Sequence, residues 1–244
     1  MSFNIDILIS SVKSANLEIL DYLQNSLKDD DFLYNKTIGF GGDNSLKIDL
    51  IFENIFVKHL KSLGNILSEE CGLIDNKSDI TFIIDPLDGS NNFYSNLPYY
   101  GTSVAIKYKN EIVAGFVTNL ATKLMTYRVL DEKVKYFSFE KKQDIKLVKN
   151  IKSKVAVFER GYNYPKICKI LDKNSIKFRV LGATALSLAN ARDYDFVLFK
   201  GELREFDISA GLFINKELFC YQKKRVLFVS KYKENLKFFK EFIK

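Results

Sequence analysis

Residues 82–93 read FIIDPLDGSNNF. Three apolar residues run directly into Asp85, a proline follows, and Asp88 comes before a glycine, a serine and two asparagines. Phe82, Ile83 and Ile84 suit a buried strand, and Pro86 removes the next backbone donor and stiffens the turn after it. The strand therefore ends by presenting two carboxylates at nearly the same place. Two such charges ~4 Å apart repel by roughly 4 kcal/mol near a protein surface. A chain tolerates that when one acid is protonated or a cation lies between them, and no basic residue stands in the run.

The rest of the composition limits which cation that is. The chain has one histidine, His59, and three cysteines, Cys71, Cys168 and Cys220, with no CxxC pair. Histidine metal sites and Ser-His-Asp triads are nearly excluded, and so are a structural zinc site and a disulfide framework. Carboxylate and carbonyl oxygens remain as ligands, and they select Mg²⁺ or Mn²⁺ over zinc. Gly89-Ser90-Asn91-Asn92 can open a helix or nest whose free N–H groups bind phosphate, with glycine allowing close approach. Acids for a metal and amides for a phosphate within one short run point to metal-assisted phosphoryl transfer. Taken singly, the other acids have ordinary readings: Asp207 as a helix N-cap, Asp85-Pro86 as a turn starter, Glu69-Glu70 as a solvated pair.

At 244 residues the chain suits one large domain or two modest ones. Apolar spacing predicts helices over 3–27 and 47–60, separated by a glycine-rich turn at 38–46, IGFGGDNSL. Strands are expected at 81–85, twice within 103–119, and at 124–130, an antiparallel-looking set. Beyond a lysine-rich boundary near 148, strands and helices alternate, the pattern of an α/β layer with helices on a sheet. The net charge is +7 and the pI about 9.0. The densest basic segment, 141–154, reads as a solvated strand or loop face. No nucleic-acid-binding motif is present, so a small anionic substrate is the expected partner, with neither nucleic acid nor membrane. No apolar run approaches the ~20 residues of a membrane span, the N-terminus lacks a signal-peptide pattern, and a reducing cytoplasm is the expected setting.

The run DPLDGSNNF resembles the DPxDGTxNF signature of the inositol monophosphatase and fructose-1,6-bisphosphatase superfamily, the lithium-sensitive Mg²⁺-dependent phosphatases. Four further elements resemble that family's in the same order: LKID (46–49), SEE (68–70), GATALSLA (182–189) followed by DYDF, and REFDISAG (204–211). The resemblance implies a layered αβαβα sandwich, an α/β (α+β) fold, usually as a homodimer. It implies a segment 1–148 carrying most metal ligands and a segment 149–244 carrying the last metal aspartate and the substrate contacts. Glu69, Asp85 and the Leu87 carbonyl would hold one Mg²⁺; Asp85, Asp88 and Asp207 would hold a second; a third, weaker ion would lie between Glu69 and Asp49. Asp49 and Ser90 would orient and help deprotonate the attacking water, with Glu69 beside them, and the N–H groups of Gly89 and Ser90 would hold the phosphate. The implied reaction is in-line attack of a metal-activated water on the phosphorus.

Substrate contacts are expected from Arg160, Gly182, Ala183, Thr184, Lys200 and Arg204. Inositol monophosphatases place an acidic residue shortly before the last aspartate, and Lys200 stands there instead, which suits a second phosphate better than a sugar hydroxyl. The expected substrates are inositol monophosphate, fructose 1,6-bisphosphate or both, as in the compact prokaryotic branch. The alternatives are an adenosine 3′,5′-bisphosphate phosphatase, against which DGSNNF counts, and a non-catalytic relative that binds a phosphorylated ligand or RNA.

Overall fold

The computed structural model describes residues 4–42, 44–150 and 152–239. Helix α1 (Ile5–Asn25) starts where the Asn4 side chain accepts the N–H groups of Asp6 and Ile7. Strands β1 (Tyr34–Ile38) and β2 (Asn44–Leu46) form a small antiparallel pair, β2 lying inside the stretch 38–46 expected to be only a turn and β1 running up to it. Their ladder is too short for a period to show in sequence. Helix α2 spans Lys47–Leu60.

A large sheet follows, made of β3 (Asn65–Ser68), β4 (Gly72–Ile74), β5 (Ile80–Asp88), β6 (Gly101–Tyr108), β7 (Glu111–Asn119), β8 (Leu124–Val129), β9 (Lys135–Ser138) and β10 (Gln143–Ile145). Its spatial order is β10-β9-β8-β7-β6-β5-β3-β4, antiparallel throughout except where β3 runs parallel to β5. Short helix α3 (Ser90–Tyr94) leaves the end of β5. The second sheet holds β11 (Val155–Glu159), β12 (Lys177–Arg179), β13 (Phe196–Lys200), β14 (Phe219–Lys223) and β15 (Val226–Ser230), in the order β12-β11-β13-β15-β14. Helices α4 (Pro165–Lys173), α5 (Thr184–Ala189) and α6 (Glu205–Ile214) complete the chain.

The period-two alternation of each central strand sorts these elements into layers. Phe82 and Ile84 face α1 and α2 with Val12, Ile19, Phe52 and Phe56, while Ile83 faces Ala185, Phe206 and Ala210 of α5 and α6. In the second sheet Val197 and Phe199 meet Leu188, Ile208 and Leu212 of the same helix pair; Phe196 and Leu198 turn outward to Ile167 and Leu171 of α4. The result is helix pair, sheet, helix pair, sheet, helix: the five-layer αβαβα sandwich, with α5 and α6 apolar on two faces because sheets cover both. A side-chain hydrogen bond also ties α3 to the stretch just before α5. Asn92 of α3 donates to the carbonyls of Tyr99 and Leu181, both at 2.7 Å.

Candidate active site

A cleft of about 540 Å³ opens where β3, β5 and β11 end and α2, α5 and α6 begin. Its acids arrive by simple geometry. Parallel pairing sets Ser68 opposite Ile84, so the next residues, Glu69 and Asp85, emerge side by side at the same sheet edge. Asp85 and Asp88 sit three positions apart, which in a regular strand would aim them at opposite faces. The pairing of β5 with β6 shifts register between those two residues, and both enter the cleft. Asp49 lies in the first turn of α2, and Asp207 in the first turn of α6.

Asp207 is not the N-cap of its helix. Arg204 holds that position, in extended conformation, and Asp207 points into the cleft. Glu69-Glu70 is no solvated pair either. Glu69 lines the cleft, and Glu70 accepts a short hydrogen bond from the Ser45 hydroxyl. The glycine-rich turn before β2 lies directly on both: the N–H of Phe40 donates to the Glu70 carbonyl at 3.0 Å, and that of Gly41 to the Glu69 carbonyl at 2.7 Å. A Cβ on Gly41 would fall 2.7 Å from Glu69 Cγ, so only glycine permits that approach.

Oxygen atoms of Glu69, Asp85 and Asp207 lie within 4.8 Å of one another. Asp88 lines the same cleft just outside this trio, its Oδ2 accepting the Leu186 N–H at 2.8 Å. Burial pushes the Asp85 carboxyl far above the usual range, and Glu69, Asp88 and Asp207 push it further. Asp88 is raised by burial and then by Asp207 and Glu159. Asp49 is pushed up to about 7 by burial, against the Leu46 N–H that its Oδ2 accepts at 2.7 Å. Its Oδ1 is buried with no hydrogen-bond partner among the described residues. A surplus of buried carboxylate oxygen over donors, with an orphaned acceptor, fits hard divalent cations.

Beside the acids, Gly89 caps α3 at φ 85°, a left-handed value suited to glycine. Gly89, Ser90 and Asn91, at the start of that helix, line the cleft, and the Ser90 hydroxyl donates to the Leu87 carbonyl at 2.9 Å.

Of the residues singled out from sequence, the cleft gathers Asp49, Glu69, Asp85, Leu87, Asp88, Gly89, Ser90, Arg160, Gly182, Thr184, Arg204 and Asp207. It does not gather two. Ala183 is buried against Gly89, and Lys200 lies over the Tyr164 ring, its Nζ 5.3 Å from the centroid. Sequence reasoning missed Tyr34, Asn44, Glu159, Tyr162 and Asn163, which also line it. Glu159 carried a readable signal: VAVFE ends an apolar strand in an acid, as FIID does.

The chain matches the model of the inositol monophosphatase family over residues 8–218. It is 31% identical over 181 residues to a fructose-1,6-bisphosphatase of Pyrococcus furiosus, covering 72% of this chain and 68% of the relative. It is likewise 31% identical over 209 residues to a fructose-1,6-bisphosphatase/inositol-1-monophosphatase of Methanothermobacter thermautotrophicus, covering 74% and 71%. A crystal structure of an inositol monophosphatase-fructose 1,6-bisphosphatase superposes with a TM-score of 0.76 at 26% identity, covering 99% of both chains. A five-layer sandwich with an acid-lined cleft at its strand ends defines a metal-dependent phosphatase class. Within it, the chain belongs to the inositol monophosphatase family.

Proposed function

We propose that this chain is a Mg²⁺-dependent phosphomonoesterase of a small phosphorylated polyol or sugar, inositol monophosphate, fructose 1,6-bisphosphate or both. The observation that carries the reading is the convergence of Asp49, Glu69, Asp85, Asp88 and Asp207 on one cleft beside the Gly89-Ser90 helix start. The names of the relatives support the substrate class. Glu69, Asp85, the Leu87 carbonyl, Asp88 and Asp207 are the residues that would hold two Mg²⁺ ions, with a third near Asp49 and Glu69. Such ions, when bound, lower the pKa of water and neutralise charge on the phosphoryl and leaving oxygens.

The chain's own groups do the rest. Asp49, whose carboxyl burial raises, offers its buried Oδ1 as the proton acceptor. Ser90 fixes the orientation of the nucleophilic water together with Asp49. The N–H groups of Gly89 and Ser90 receive the phosphoryl oxygens and hold the phosphorus in line. Arg160, at the end of β11, adds positive charge on the far wall, where a second phosphate would lie. Inhibition by lithium, a homodimeric assembly and a cytoplasmic setting belong to the same reading. Among the described residues no helix is long and apolar enough to cross a membrane.

The test is phosphate release from inositol 1-phosphate, fructose 1,6-bisphosphate and adenosine 3′,5′-bisphosphate, each with Mg²⁺. Hydrolysis of either of the first two, abolished by chelation, supports the reading. Exclusive hydrolysis of the adenosine compound, or release indifferent to chelation, contradicts it.

A further inference from the structure

Arg204 occupies an unusual place for a surface-charge residue. It caps α6 and lies folded into the acid cleft, its side chain only 20% exposed. Its Nε and Nη2 fork onto the two oxygens of Asp207, at 2.9 and 3.1 Å. Its Nη1 reaches Glu69 Oε1 at 2.6 Å and the carbonyl of Gly41 at 3.3 Å. One guanidinium thus bridges two of the three acids whose oxygens lie within 4.8 Å, and touches the glycine-rich turn that covers them.

Clustered buried carboxylates repel one another and pay heavily for desolvation, so a folded site without a cation needs compensating charge. A guanidinium is suited to give it. It stays charged at all relevant pH, and its planar fork matches two carboxylates at once. The same contacts work against a divalent ion. Glu69 Oε1 holds Nη1 at 2.6 Å, so an entering cation competes with the guanidinium for that carboxylate, and the positive charge repels it.

We propose that Arg204 is a stand-in cation: it bridges Glu69 and Asp207 in the metal-free protein, keeps the acid wall folded, and must release Glu69 as a divalent ion enters. This rests on the reading of the cleft as a divalent-metal site. Arg204 acts through the ligands and is a positioning residue. The fork engages both oxygens of Asp207, so it too must loosen for that acid to take an ion. Release of the arm on Glu69 and Gly41 ties ion entry to the turn at 39–42.

The experiment uses Mn²⁺ alone as probe, its binding followed by the paramagnetic signal of the free ion, with melting of the protein in chelator and in saturating Mn²⁺. Arg204→Gln is expected to lower the melting temperature in chelator and to recover most of that loss in Mn²⁺. It should also bind Mn²⁺ about tenfold more tightly, within the ordinary range of coupling between competing ligands. Arg204→Lys keeps a cation but loses the fork, and should shift both quantities the same way by less. If the glutamine variant does not fold, the lysine variant decides. Mn²⁺ binding that is unchanged or weaker in the variants, with binding intact in the wild type, overturns this role alone. A wild-type protein that binds no Mn²⁺ overturns the metal-site reading and the inference with it.

Discussion

The cleft has two walls, and each is built the same way: an apolar strand delivers an acid to the edge of a sheet. On one wall FIID ends in Asp85; on the other VAVFE ends in Glu159. Both acids are almost completely buried, at 3% and 1% exposure. Their surroundings differ. Glu159 takes a hydrogen bond from the Ser187 hydroxyl at 2.5 Å and from the Gly182 N–H at 2.9 Å, so each of its oxygens has a donor. Asp85 takes the N–H of Leu87 and otherwise faces Glu69, Asp88 and Asp207, with the Arg204 guanidinium opposing them. Burial of an acid is therefore not what marks the reacting wall. The mark is burial among like charges with too few donors, and a group in that state has room for a cation, where Glu159 has none to spare.

This contrast orders the expected effects. Asp49→Asn would remove the proposed proton acceptor with little change of shape, and should lower kcat on the order of 10²–10⁴-fold, the usual worth of a positioned base. Steady-state phosphate release measures it; a kcat within a factor of a few of wild type would assign the base elsewhere. Glu159→Gln should leave turnover in the same decade and instead destabilise the fold by about 1–3 kcal/mol, since one of its donors then faces an amide N–H₂. Denaturant unfolding reads the second effect, and a large loss of activity without loss of stability would make Glu159 part of the chemistry.

The smallest effect is one of pH. Asp49 rises from 3.8 to about 7 in the folded chain, and Asp85 and Asp88 rise too. Between those values the folded, metal-free protein holds protons that the unfolded chain has lost, so its stability falls as pH rises through that window. On the Glu159 wall the donors hold down the rise that burial causes. Melting in chelator should thus drop from about pH 4 toward pH 8, and Mg²⁺ should flatten the slope by replacing the protons. A slope that is the same with and without Mg²⁺ would break the contrast between the walls.

Much of this was legible in sequence, for a physical reason in each case. Helix α2 matched the expected 47–60 to the residue, its buried Ile48, Phe52, Ile55, Phe56 and Leu60 recurring at helical spacing. The acid wall was legible because DPLDG packs two acids into nearby positions that both reach the cleft. The second wall was not. Glu159, Tyr162 and Asn163 reach the cleft only because β11 and β5 end on the same side of the α5–α6 layer, a fact of tertiary packing. Lys200 was singled out by its position along the chain, and the end of β13 leaves it over Tyr164, outside the residues that line the cleft. Asp207 looked like a cap because it precedes an apolar run, yet the helix begins a turn earlier, at Glu205, and Arg204 takes the cap.

The central claim is that the paired acids at the end of β5 exist to hold divalent cations. Asp85→Asn keeps the size of that side chain and removes its charge, so Mn²⁺ titration of wild type and variant, with folding checked by far-UV circular dichroism, addresses the claim directly. The account predicts saturable Mn²⁺ binding by the wild type, its loss in the folded variant, and loss of phosphate release with it. Equal Mn²⁺ affinity in the two proteins would contradict the account.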